Sequence, residues 1–180
     1  MNILSGREGE GCHASGKGYQ VINANGHLIK IISGGQTGVD RAALDWAIEH
    51  NIDHGGWCPL NRHANDGPLA SLYRLRETKS TGYSQRTRRN VQDADATLIL
   101  IRGQLVGGSR LTKRIADELN KPVHVANLEL DCHAQVEQVQ SWLSMMPIGT
   151  LNIAGPSEER CDGIYHQVKE FLNKLCDLYQ

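Results

Sequence analysis

From Leu28 onward, short apolar runs alternate with longer segments in which apolar residues return every three or four positions. The short runs are Leu28–Ser33, Gly55–Cys58, Leu75–Thr78, Thr97–Ile101, Val123–Ala126 and Leu151–Ala154. Each has the length of a buried strand. The longer segments, near Asp40–His50, Ser84–Ala94, Leu111–Asn120, His133–Leu143 and Glu158–Leu178, have the length of helices, several with helical apolar spacing. Strands alternating with helices predict an α/β protein: a Rossmann-like three-layer fold, with a mostly parallel central sheet and helices on both faces. No internal repeat or low-complexity linker divides residues 28–180, so they read as a single domain. Residues 1–27 are glycine-rich and poor in apolar positions, and they read as a flexible leader. Within that leader, Tyr19–Ile22 and the Asn25-Gly26 pair have the makings of a β-hairpin feeding the first strand.

Composition narrows the picture. A chain of 180 residues is long enough for one full-sized core. Lysine and arginine number 19 against 20 acidic residues, so no global charge points to nucleic acid. No apolar run is long enough to cross a bilayer, and the N-terminus lacks the apolar stretch of a signal peptide; a cytoplasmic location follows as the expectation. The five cysteines, Cys12, Cys58, Cys132, Cys161 and Cys176, are scattered and contain no C-x-x-C pair. That pattern argues against a disulfide framework or a structural zinc site.

In a sheet of this kind, ligands gather beyond the carboxyl ends of the strands, where the strand order reverses. Four polar segments follow predicted strand ends: Gly34–Asp40, Pro59–Gly67, Gly103–Thr112 and Gly155–Arg160. In the first, a strand stops at Gly34-Gly35 and a helix restarts after Gly38, with Asp40 a candidate cap; free N–H groups and the dipole at a helix start suit an anion. Gly107-Gly108-Ser109-Arg110-Leu111-Thr112 repeats that logic. Between them, Arg86 and Asn90 are four apart and share a helix face, and Arg86 can offer a guanidinium fork to an oxyanion. Tyr83 has a ring that can stack on a flat heterocycle or fill the core. Arg88 reads as part of a solvated basic face paired with Asp93 and Asp95, and Cys58 as a small buried side chain. His54, Cys58 and His63 match no usual zinc spacing.

Several of these stretches together resemble the molybdenum-cofactor carrier proteins: Ser33-Gly34-Gly35-Gln36-Thr37-Gly38-Val39-Asp40-Arg41, Gly55-Gly56-Trp57-Cys58-Pro59, Tyr73-Arg74-Leu75-Arg76-Glu77-Thr78, Gln85-Arg86-Thr87-Arg88-Arg89-Asn90-Val91 and Gly107-Gly108-Ser109. The resemblance implies a Rossmann-like fold of the SLOG, lysine-decarboxylase-like superfamily. It also implies that the chain binds, protects and delivers molybdenum cofactor without catalysis. That cargo is a tricyclic pterin with a dithiolene-bound molybdenum oxo group and a terminal phosphate. Gly35, Gln36, Thr37 and Gly38 are assigned to one oxyanion end, Gly107, Gly108, Ser109 and Thr112 to the other, and Arg86 and Asn90 to the wall. Gly34, Arg41, Arg62, Thr87 and Ser157 complete the cofactor-binding set. Which end takes phosphate and which molybdate stays open. The resemblance further implies a homo-oligomer, a dimer or tetramer, with molybdoenzymes or cofactor-insertion proteins as recipients and neither nucleic acid nor membrane as partner.

The chain departs from the family where Leu60-Asn61-Arg62-His63 keeps only part of a basic run, and where Ser157 follows Gly155-Pro156 in place of arginine, leaving Arg160 the nearest base. Two rival functions remain. One is a nucleoside-monophosphate phosphoribohydrolase of the same superfamily, whose Pro-Gly-Gly-x-Gly-Thr-x-x-Glu run needs a carboxylate where this chain has Arg114. The other is a nucleotide sensor read by a partner protein.

Overall fold

The computed structural model describes residues 30–177; the leader, its hairpin and Leu28–Ile29 lie outside them. Six strands form one parallel sheet: β1 (Lys30–Ile32), β2 (His54–Cys58), β5 (Leu75–Glu77), β6 (Ala96–Ile101), β7 (Val123–Asn127) and β8 (Thr150–Ala154). A separate antiparallel hairpin pairs β3 (His63–Ala64) with β4 (Gly67–Pro68). The five helices are α1 (Val39–Glu49), α2 (Tyr83–Asp93), α3 (Gly107–Glu118), α4 (Cys132–Ser144) and α5 (Ile164–Asp177). This is the open three-layer α/β arrangement that the alternating pattern predicts.

The order across the sheet is β5-β2-β1-β8-β6-β7. The chain winds from β1 outward through β2 to β5, crosses over to β6 and β7, and finally places β8 in the gap beside β1. Lys30 aligns with Thr150 on one side of β8, and Ala96 with Leu151 on the other. The reversal of strand order therefore falls at β1, β8 and β6, whose trailing loops face one another.

Burial explains the layers. Every residue of β6 is buried, as expected of a central parallel strand covered on both faces. On one face Ile31, Leu98, Leu100, Leu151 and Ile153 join Trp46 of α1, Val136 and Val139 of α4 and Phe171 of α5 in the principal core. On the other, Val91 of α2 packs with Ile115 and Ala116 of α3. A third cluster, Leu44, Cys58, Ala64, Leu69, Tyr73 and Leu75, seats the hairpin and the following loop against the β2 edge.

Two boundaries and one added element differ from the sequence reading. The segment Glu158–Leu178 is not one helix: a 3₁₀ turn covers Glu158–Arg160, and α5 begins only at Ile164. The Glu158 carboxylate accepts the N–H groups of Gly163 and Tyr165, ending the turn and starting the helix. Helix α3 begins at Gly107 rather than Leu111, so its glycine pair forms the first turn. The hairpin was not foreseen, because two-residue strands leave no periodicity to read.

Candidate functional site

The β1 loop is shaped by the neighbour that crosses it. Gly38 holds φ at +79°, and a Cβ there would stand 2.6 Å from the Pro156 carbonyl oxygen and the Glu158 nitrogen. Only glycine lets the β8 loop approach so closely while keeping that left-handed backbone. The Val39 N–H then donates to Pro156 O at 3.2 Å, and Ser33 Oγ donates to Ile153 O at 2.6 Å, stitching the two strand ends together. Asp40 is not the cap expected of it. Gly38 occupies the N-cap without a side-chain bond, and Asp40 lies buried in the first turn of α1.

What Asp40 does instead is hold Arg86. Arg86 Nη1 donates to Asp40 Oδ2 at 2.7 Å, with the arginine side chain 12% and the aspartate 4% exposed. The guanidinium lies directly on Gly34, where a Cβ would come within 1.7 Å of Nη1. Its Nε is buried without an acceptor among the described residues, and its Cζ lies over the Tyr83 ring, 5.7 Å from the centroid. A buried N–H donor beside the strand ends, with no partner among the described residues, is a feature that calls for one. The other α2 candidates serve the fold: Asn90 accepts the Trp57 N–H at 2.8 Å and donates to Trp57 O at 3.0 Å, while Thr87 Oγ1 bonds back to Tyr83 O. Arg88 pairs with Glu118 of α3, not with Asp93 or Asp95.

Two further arginines are similarly occupied. Arg41 forms a fork to both oxygens of Asp66 at 3.0 Å and donates through Nε to Gly35 O. The bond from Arg41 pulls the Asp66 carboxyl below its ordinary range. Arg62 donates to four backbone carbonyls, those of Leu69, Ala70, Tyr73 and Leu75, gathering the loop that follows the hairpin. Asp45 anchors the same loop by accepting both Tyr73 Oη and Tyr165 Oη, and burial with that bond pushes the Tyr73 hydroxyl up to about 12.

Around Thr37 a polar network closes the cleft. Gln36 Oε1 accepts the N–H groups of Thr37 and Asn65, each at 2.9 Å, and Gln36 Nε2 donates to Asn65 Oδ1. Glu159, which the sequence did not single out, reaches across from the β8 loop. Its carboxylate accepts Thr37 Oγ1 at 2.8 and 3.0 Å and Asn65 Nδ2 at 2.9 Å. Desolvation opposes the charge, yet the bonds from Asn65, the Glu159 backbone, Thr37 and Ser157 bring the carboxyl down to about 2. The same Asn65 Oδ1 accepts Tyr83 Oη at 3.0 Å.

The α3 end of the cleft has the opposite polarity. No side chain caps α3, whose first turn carries exposed Gly107 and Gly108, with Ser109 buried behind them. Thr112 Oγ1 bonds back to Gly108 O. Arg160 extends from the β8 loop until its Nη1 stands 2.5 Å from where a Gly107 Cβ would be. A guanidinium beside the positive end of a helix adds like to like, an arrangement that an anion between them relieves. Arg114, aligned with the hydrolase glutamate, is on the exposed face of α3 against Glu118. A cavity of about 600 Å³ lies elsewhere, at the amino ends of the strands, among Lys30, His54, Trp57, Arg74 and Arg76. The carboxyl ends are the candidate site because the strand order reverses there and the uncapped start of α3 meets Arg160.

No curated protein matches. A crystal structure of "Putative molybdenum carrier protein" from Syntrophus aciditrophicus is similar, with 43% identity, a TM-score of 0.79, and coverage of 81% of this chain and 93% of that one. The family described as "Circularly permutated YpsA SLOG family" matches residues 31–176. A match of that extent, on a parallel sheet with its last strand set at the centre, establishes that the chain belongs to the circularly permuted YpsA SLOG family.

Proposed function

We propose that this protein binds molybdenum cofactor in the cleft between the β1, β6 and β8 loops, shields it from oxidation and passes it on chemically unchanged. The observation that carries the reading is the meeting of Arg160 with the uncapped glycine start of α3, a cationic end for a phosphate or molybdenum oxo group. Arg86, with its buried and unpartnered Nε, adds a second donor along the wall. Similarity to a protein named as a molybdenum carrier supports the choice of cargo. Carriage without catalysis is favoured over hydrolysis because the carboxylates of α3 are engaged outside the cleft: Asp117 with Lys113, and Glu118 with Arg88 and Arg114. Association into a homo-oligomer would cover the cleft and its oxidisable dithiolene, and the recipients would be molybdoenzymes or the proteins that load them. Among the described residues no helix is long and apolar enough to cross a membrane.

The test is titration of the purified protein with isolated molybdenum cofactor, with AMP and molybdate in parallel and AMP followed for breakdown. Saturable binding of the cofactor with AMP intact is the expected result. Release of adenine, or AMP binding tighter than the cofactor, overturns the carrier reading in favour of nucleotide processing.

A further inference from the structure

The starts of α1 and α3 both face the cleft, and the chain treats them in opposite ways. At α1, the donors of Thr37 are taken from within: its N–H by Gln36 Oε1, and its hydroxyl by Glu159, whose two oxygens lie 2.8 and 3.0 Å away. The Val39 N–H goes to Pro156 O. Asn65 Nδ2 donates to the same carboxylate from the hairpin side, and Ser157 does so from the β8 loop. Donors from the β1 loop, the hairpin and the β8 loop thus converge on one point, as they would on a bound oxyanion, and a carboxylate of the chain already fills it. Desolvation opposes its charge, yet these bonds keep it ionised. The charge is held at the residue before the Gly38 N-cap, where the α1 dipole favours it. Glu159 is exposed, so the same charge confronts whatever enters the cleft. The start of α3 has no such occupant. No side chain caps it, and Arg160 beside Gly107 has no ion pair among the described residues.

We infer that Glu159 is a built-in anion that closes the β1 loop to phosphate and other oxyanions, so that the cleft takes ligands with their negative groups at the start of α3 and an uncharged part toward Thr37. A second anion at Thr37 would have to break the bonds from Thr37, Asn65 and Ser157 and then stand at close range to a like charge. At the other end the same group meets a guanidinium and an uncapped helix start. Glu159 is therefore a specificity determinant: it gives the cleft a direction and turns away compounds that carry an anion at both ends. The inference deepens the carrier reading and rests on it for the cargo, whose phosphate and molybdenum oxo group would share the α3 end.

The experiment is a titration with inorganic phosphate, followed residue by residue through amide NMR shifts, on the full chain and its Glu159→Ala and Glu159→Gln variants. In wild type, phosphate is expected to move the amides of Gly107 and Gly108 and to leave Thr37 and the Asn65 side chain unmoved. Glu159→Ala frees the donors and removes the charge, so phosphate should then move Thr37 and Asn65 as well, with an affinity there about tenfold or more above wild type. Glu159→Gln drops the charge but keeps an acceptor, and its gain should fall between the two. Adding Thr37→Val to Glu159→Ala should abolish the new site and spare the shifts at α3. Thermal melts check that each variant is folded, and either Glu159 variant suffices for the comparison. Phosphate that moves Thr37 as tightly in wild type as in Glu159→Ala, variants that gain nothing at Thr37, or phosphate that moves no amide at the start of α3 overturns the inference. Isolated cofactor that fails to bind while Glu159→Ala gains its phosphate site defeats the carrier reading alone. Cofactor that binds while phosphate is indifferent to Glu159 defeats this inference alone.

Discussion

Arg86 and Asp40 are paired almost entirely out of water, so removing either one leaves a charge that the interior cannot solvate. Arg86→Ala is expected to lower the unfolding free energy by about 3–5 kcal/mol, measured by urea denaturation. Gly34→Ala reaches the same pair from the other side, because the new methyl would occupy the space of Nη1. It should cost both stability and ligand affinity, with the loss of affinity surviving at temperatures where the variant is fully folded. At this scale the sequence offered the residues but not their partners. Arg41, Arg62 and Arg86 look alike as letters, yet one grips Asp66, one gathers four carbonyls, and one keeps a buried donor unpaired. Glu159 carries no signal in the sequence, where an acidic residue between Glu158 and Arg160 reads as ordinary surface charge.

Strands and helices were far more legible, since an apolar run of four to six residues leaves few alternatives inside an α/β chain. The failures fell where side-chain chemistry overrides pattern: Glu158 splits a helical stretch by capping α5, and two glycines that look like a loop form the first turn of α3. Strand β7 carries a testable liability. His124 packs its ring against Trp142 of α4 with centroids 5.3 Å apart, and its Nε2 is buried without a partner among the described residues. Burial lowers its basicity, so the folded protein binds fewer protons here than the unfolded chain. Stability should therefore be insensitive to this residue above about pH 7 and fall as pH drops through and below 6.5, its ordinary value. Substituting His124 by Phe is expected to flatten that part of the stability–pH curve in thermal melts. On α2, Asn90→Ala would strand the Trp57 N–H and carbonyl, at a cost on the order of 1–3 kcal/mol for each group left unsatisfied, readable by the same denaturation.

At the scale of the molecule, the two halves of the sheet meet only through β8, since β1 and β6 are not paired with each other. Truncation after Gly149 should therefore abolish the cooperative unfolding transition rather than shorten the protein by one layer, which calorimetry would show as the loss of its melting peak. Parallel pairing over this sequence distance, Lys30 with Thr150, also predicts slow folding relative to a helical bundle of equal length. The three-layer class was readable in the chain, but the central seat of β8 was not, because pattern gives the number of strands and not their order. One consequence bears on when the protein can act. Both polarities of the cleft, Glu159 and Arg160, follow β8 by a few residues. A nascent chain that has emerged only as far as α4 has its β1 loop, Arg86 and the start of α3 in hand, but neither the strand that brings them together nor the charges that tell one end from the other. Under the proposed carrier function, cargo capture would wait during translation until residues 150–160 have been made, and a half-synthesised chain would not sequester a cofactor that it is unable to protect.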